Sequence, residues 1–233
     1  MASLRALAHC IGLGGNFSVV GDFFGYASGP PWTLADSQNA LPQSLSLLTQ
    51  MRRVQKRHFH LNLIRVGTDD NGLLSPAEEQ CVDCAVQITR DIYAAFGIGV
   101  GRVERWWFVP LSDNTGFDVI DSDGEADDLT EAYSIPNDGI NVFYVPLYVG
   151  STAGLTPAKP DGVVVEIFTE SFLQTARTTG HELGHFFGLG HENDKPANLM
   201  CQSSKALPMP DSTQLNSDQI DDVRDADEIK AAC

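Results

Sequence analysis

Eleven consecutive residues constrain this chain more than anything else in it: His181-Glu182-Leu183-Gly184-His185-Phe186-Phe187-Gly188-Leu189-Gly190-His191. In an α-helix, residues four apart share a face, so His181 and His185 project their imidazoles toward one point. Gly188 suits the left-handed conformation that ends a helix, and the turn it makes brings His191 back beside the other two. Three imidazoles at this spacing suit one zinc ion, which in catalytic sites keeps a fourth position open for water. Glu182, next to the first ligand, is placed to act on that water as a general base. Each histidine taken singly reads as an ordinary core or surface residue; the spacing carries the assignment.

The remaining pattern predicts a sheet with helices packed on it. Phe59, Leu61 and Leu63 alternate with His60, Asn62 and Ile64, which predicts a strand over 58–66. Ser75-Pro76-Ala77-Glu78 reads as a helix start, with Ser75 as cap, Pro76 at the first position and Glu78 reaching back. That helix runs to Phe96 and closes at Gly97. Further strands are expected over 103–109, 140–145 and 162–168, and helices over 171–188 and 217–232. The order is α/β (α+β), a twisted mixed sheet with long helices packed on it.

Charge narrows the partners. Thirty-one Asp and Glu against 15 Lys and Arg leave a net charge of -16. Such a surface repels phosphate backbones and anionic lipid and favours cationic partners and metal ions. No run of about 18 apolar residues suggests a transmembrane helix. The acid is concentrated in two clusters, Asp113 to Asp138 and Asp211 to Glu228. Within the first, Asp121, Asp123 and Asp127 alternate around Gly124, the oxygen-rich chemistry that Ca2+ prefers, or else form a solvated acidic loop. Asp69, Asn71, Gly72 and Glu78 fall at EF-hand-like positions, but Gly67 stands where a carboxylate belongs. His58 and His60 point the same way from a strand and lack a third ligand, which favours a structural role.

The motif resembles the signature of the metzincin clan of zinc endopeptidases, H-E-x-x-H-x-x-G-x-x-H followed by a Met-turn. Asn198-Leu199-Met200 looks like that turn, and the resemblance implies that Met200 forms an apolar floor beneath the metal without ligating it. Leu215-Asn216-Ser217-Asp218-Gln219-Ile220 resembles the start of the clan's C-terminal helix, where Asn216 or Ser217 supplies a cap. Glu192 resembles the astacin subfamily, yet the tyrosine expected near its Met-turn is absent, so only the clan is named. The resemblance implies an upper lobe to about 191 and a short lower lobe over 192–233. It also implies that 162–168 is the sheet edge above the cleft, and that 202–210, with Ala206, Leu207 and Met209, walls an apolar pocket.

Residues 1–50 read as a pro-segment or as an extension of a catalytic domain over 51–233. Five cysteines are an odd number. In a secreted protein Cys201 would pair with Cys233, and Cys10 with Cys81 or Cys84. The function expected is that of a secreted, monomeric zinc endopeptidase acting on protein or peptide substrates, with His181, His185 and His191 as ligands and Glu182 as base. The competing reading is a noncatalytic peptide-binding module on the same scaffold. Glu182 argues against it, because a purely structural zinc site needs the histidines and not the base.

Overall fold

The computed structural model describes residues 56–66, 75–109, 116–149, 153–157, 161–202, 204–207 and 211–231. The segment 1–50, Cys10, Cys233, Asp69, Asn71, Gly72 and Met209 lie outside them.

The first strand, β1 (His58–Val66), is buried at all nine positions. An alternating sequence here does not mean one wet face, because β1 is central: β2 (Gly99–Val109) flanks it on one side and β4 (Gly139–Val145) on the other, both parallel. Beyond β4 comes β7 (Val163–Glu166), also parallel, and then β6 (Gly154–Leu155), antiparallel. The sheet order is therefore β2-β1-β4-β7-β6. A parallel sheet needs cover on both faces. One face packs on helices α1 (Pro76–Ala95) and α3 (Phe172–Phe186) through Phe59, Leu61, Leu63, Val142, Val163 and Val165. The other packs Ile64, Val66, Phe143 and Val164 against Ala126 and Leu129.

Ala126 and Leu129 belong to a helix, α2 (Asp123–Tyr133), which follows the two-residue strand β3 (Val119–Ile120); β3 pairs in parallel with another two-residue strand, β5 (Leu147–Tyr148). The acidic stretch read as a loop or a calcium site is thus a helix start. The Glu125 amide donates to Ser122 Oγ at 3.3 Å, and the Asp121 amide donates to Glu125 Oε2 at 2.8 Å. Asp123 and Glu125 in the first turn favour the positive end of the helix dipole. Acids that cap and solvate a helix do not converge: among the described residues Asp121, Asp123 and Asp127 form no group of metal-ligating geometry.

The expected capping box of α1 is present, with Ser75 and Glu78 bonded reciprocally. Glu78 is thereby committed to a cap and an ion pair with Arg65 at 3.7 Å rather than to calcium. The last helix, α4 (Ser217–Asp225), also starts on its expected capping box, Asn216 with Gln219. It stops well short of 232, because the chain turns extended at Ala226 and Lys230 pairs with His58 across two backbone hydrogen bonds of 2.7 and 3.1 Å. Cys81, Cys84 and Cys201 are buried, and no disulfide joins these three.

Candidate metal centre

Helix α3 owes its position to burial rather than to its cap, since Ser171 makes no side-chain cap bond while every residue from Thr175 to Gly184 is buried. Across the helix pair, the Tyr93 hydroxyl donates to Gly180 O at 2.9 Å. The helix ends where the sequence requires. Gly188 takes φ +90°, its amide donates to His185 O at 2.8 Å, and the Leu189 amide donates to Gly184 O at 2.9 Å. These two bonds close a Schellman motif and turn the chain back toward His191.

The three histidines then meet. His185 Nε2 lies 3.1 Å from His181 Nε2 and 3.1 Å from His191 Nε2. The other ring nitrogens of the helical pair are fixed by backbone carbonyls, His181 Nδ1 on Leu199 O and His185 Nδ1 on Leu189 O, both at 2.7 Å. A carbonyl only accepts, so each Nδ1 carries the proton and each Nε2 presents a lone pair. Burial pushes the His181 pKa down to about 3 and that of His185 also down, which keeps both rings neutral. Facing lone pairs repel unless a cation lies between them. Tetrahedral coordination at about 2.0–2.1 Å from zinc to nitrogen separates ligand atoms by about 3.3 Å, so the donor set fits one ion of that size.

Glu182 lies in the same cleft, about 620 Å³ in volume, with His181, His185 and His191. Burial pushes its carboxyl up to about 7, partly offset by hydrogen bonds from Thr156 and by the charge of Arg177. Thr156 Oγ is 2.9 Å from Glu182 Oε2 and 2.8 Å from Glu182 O. Having one hydroxyl proton, Thr156 serves one of these acceptors at a time.

Met200 is fully buried against α3, beside Gly184. A Cβ on Gly184 would lie 2.4 Å from Met200 Sδ, so only glycine allows the sulfur to seat there. The turn carrying Met200 is held on several sides. Asn198 Oδ1 accepts from the Met200 amide at 2.8 Å, and Asn198 Nδ2 donates to Gln219 Oε1, also at 2.8 Å. The Leu199 amide donates to Gln214 O at 2.7 Å. From α3, Arg177 donates to Leu199 O, to Cys201 O and to Ser212 Oγ. Gln219 therefore caps α4 and braces the turn with one side chain.

The three histidines and Glu182 line one cleft, and Met200 packs against Gly184 of the same helix; Asp123 also reaches that cleft, but among the described residues Asp121, Asp123 and Asp127 form no metal-ligating group. Two expectations for the cleft walls change. Val163–Glu166 is an interior strand, and the strand at the edge is β6. Among the described residues of the lower segment, the polar Gln202 and Ser204 line the cleft, and Leu207 is exposed and not among the lining residues. Thr156 gave no sequence signal, lying 26 positions from Glu182 in a short connection. Arg177 did offer one: it stands four residues before His181, on the same helical face.

The fold and site define a mixed α/β protein with a three-histidine group disposed to hold one metal ion. No protein-family model matches the sequence, and no curated protein matches it. Among solved structures, the chain is similar to metalloproteinase-II from Bacteroides fragilis at 15% identity and a TM-score of 0.49, covering 74% of this chain and 54% of that one. The chain thus spans about half the length of that protein.

Proposed function

We propose that the chain is a zinc-dependent endopeptidase of the metzincin type, with its catalytic domain over 51–233, acting outside the cell as a monomer on protein or peptide substrates. The observation that carries this reading is the convergence of three imidazole Nε2 atoms, two of them locked as lone-pair donors, beside a buried carboxylate. Zinc held by His181, His185 and His191 would supply Lewis acidity toward a water and a peptide carbonyl. Glu182 takes a proton from the attacking water and later delivers it to the leaving amine. Its burial raises its basicity toward neutrality, and a cation on the triad draws that value down again. Thr156 holds the carboxylate while Met200 closes the floor. Among the described residues no strand pairs with the outer side of β6, whose backbone groups would be open to an extended substrate pairing as a further strand.

The test is casein digestion with and without a chelator, beside Glu182→Ala. Wild type is expected to cleave, chelation to stop it and added zinc to restore it, with the variant slower by about 10²- to 10⁴-fold. Equal cleavage by variant and wild type would remove Glu182 from its role. No cleavage of casein or of a broad peptide library would favour the binding module.

A further inference from the structure

Arg177 is 8% exposed, yet it lines the cleft alongside His181 and Glu182. A guanidinium has five N–H donors. Three are committed: Nε to Ser212 Oγ at 2.9 Å, and the two on Nη2 to Leu199 O at 3.3 Å and to Cys201 O. The other terminal nitrogen, Nη1, makes no hydrogen bond among the described residues and is not among their fully buried unpartnered atoms. No carboxylate forms an ion pair with Arg177 among the described residues. The carboxylate whose charge it feels is that of Glu182, beyond pairing distance.

A buried cation is normally paired, and bracing a loop through carbonyls needs donors rather than a charge. We propose that Arg177 is a specificity-determining residue, whose Nη1 binds the side-chain carboxylate of a substrate residue close to the scissile bond. The inference rests on the peptidase reading of this cleft. Position supports it: Arg177 lies one helical turn, about 6 Å, before His181, and an extended chain advances about 3.4 Å per residue. A carboxylate there sits one or two residues from the reacting carbonyl, toward the Met200 turn. The preference runs against the expectation from net charge, since an acidic protein would here select an acidic side chain.

The experiment uses the full zinc-loaded chain and peptide hydroxamates with blocked ends, identical except for Glu or Gln beside the metal-binding group. Calorimetry should show the Glu peptide binding about 10- to 100-fold more tightly, as expected for a charge-assisted hydrogen bond. Arg177→Gln should erase that ratio and Arg177→Lys retain part of it, both variants keeping their zinc. Equal affinity in wild type, binding of neither peptide, or a preference that survives Arg177→Gln overturns the assignment. A third peptide, with Gln and a free C-terminal carboxylate, separates the sources of charge. If it alone gains affinity through Arg177, the site reads chain ends and the side-chain assignment falls. Failure of the peptidase reading would appear separately, as absent casein cleavage, which hydroxamate binding does not require.

Discussion

Two sets of histidines in this molecule differ in whether their ring nitrogens converge. On α3, carbonyls take the Nδ1 protons of His181 and His185, which leaves Nε2 lone pairs facing one another and His191. On β1, His60 Nδ1 instead accepts from the Arg102 amide at 3.0 Å, so Nε2 carries the proton and lies 3.8 Å from Asp138. His58 stacks at a tilt on His60, 5.0 Å between ring centroids, and its Nδ1 lies 3.1 Å from Lys56 O. Residue type is alike, and burial lowers the pKa of His58, His60, His181 and His185. Among the described residues only the α3 set brings Nε2 lone pairs together: the Arg102 amide fixes His60 in the opposite tautomer, and His58, although its Nδ1 meets a carbonyl, belongs to no metal-ligating group.

The sharpest way to break this contrast is His185→Ala. Bound zinc should fall from about one per chain to background by elemental analysis, while His60→Gln keeps it. Stoichiometric metal in His185→Ala would dissolve the distinction. Next comes Gly184→Ala, which drives a methyl into Met200 and should destabilise the fold by about 1–3 kcal/mol in urea unfolding. An unchanged midpoint would mean that the floor adapts freely. A smaller effect is expected from Ser122→Ala, about 1 kcal/mol through the lost cap of α2, with zinc content untouched. Calcium added to the zinc-loaded protein should leave the melting temperature where it was, because the acids at the start of α2 form no metal-ligating group among the described residues.

Acid sharpens the contrast from the β1 side. Burial first, then the charge of Arg102, lowers His60 to about 4 in the fold against 6.5 in the unfolded chain. Between those values the unfolded chain binds the extra proton. The contribution of His60 is therefore complete above pH 6.5 and is lost as pH falls toward 4. In chelator-treated protein, His60→Gln should flatten the acid limb of stability in this window. A limb of unchanged slope would count against a buried neutral His60.

How legible each region was follows from the range of its signals. The zinc motif, the Ser75 cap and the Asn216 cap are local patterns, and each appears where the residues indicate. Helix α2 was hidden because Gly124 and a run of acids look like a loop, and only its Ala126 and Leu129 face reveals the helix. Strands of two residues, such as β6, have no periodicity to read, and so β7 was taken for the edge. The end of α4 depended on Lys230 finding His58, a contact across most of the chain. Thr156 and Gln219 act through tertiary hydrogen bonds that no spacing announces.

X-ray absorption at the zinc edge of the loaded protein tests the central claim most directly. The account predicts one zinc per chain with a first shell of nitrogen and oxygen at about 2.0–2.1 Å, three of the scatterers showing imidazole outer-shell features. Sulfur at about 2.3 Å, or a shell without imidazole, would contradict it.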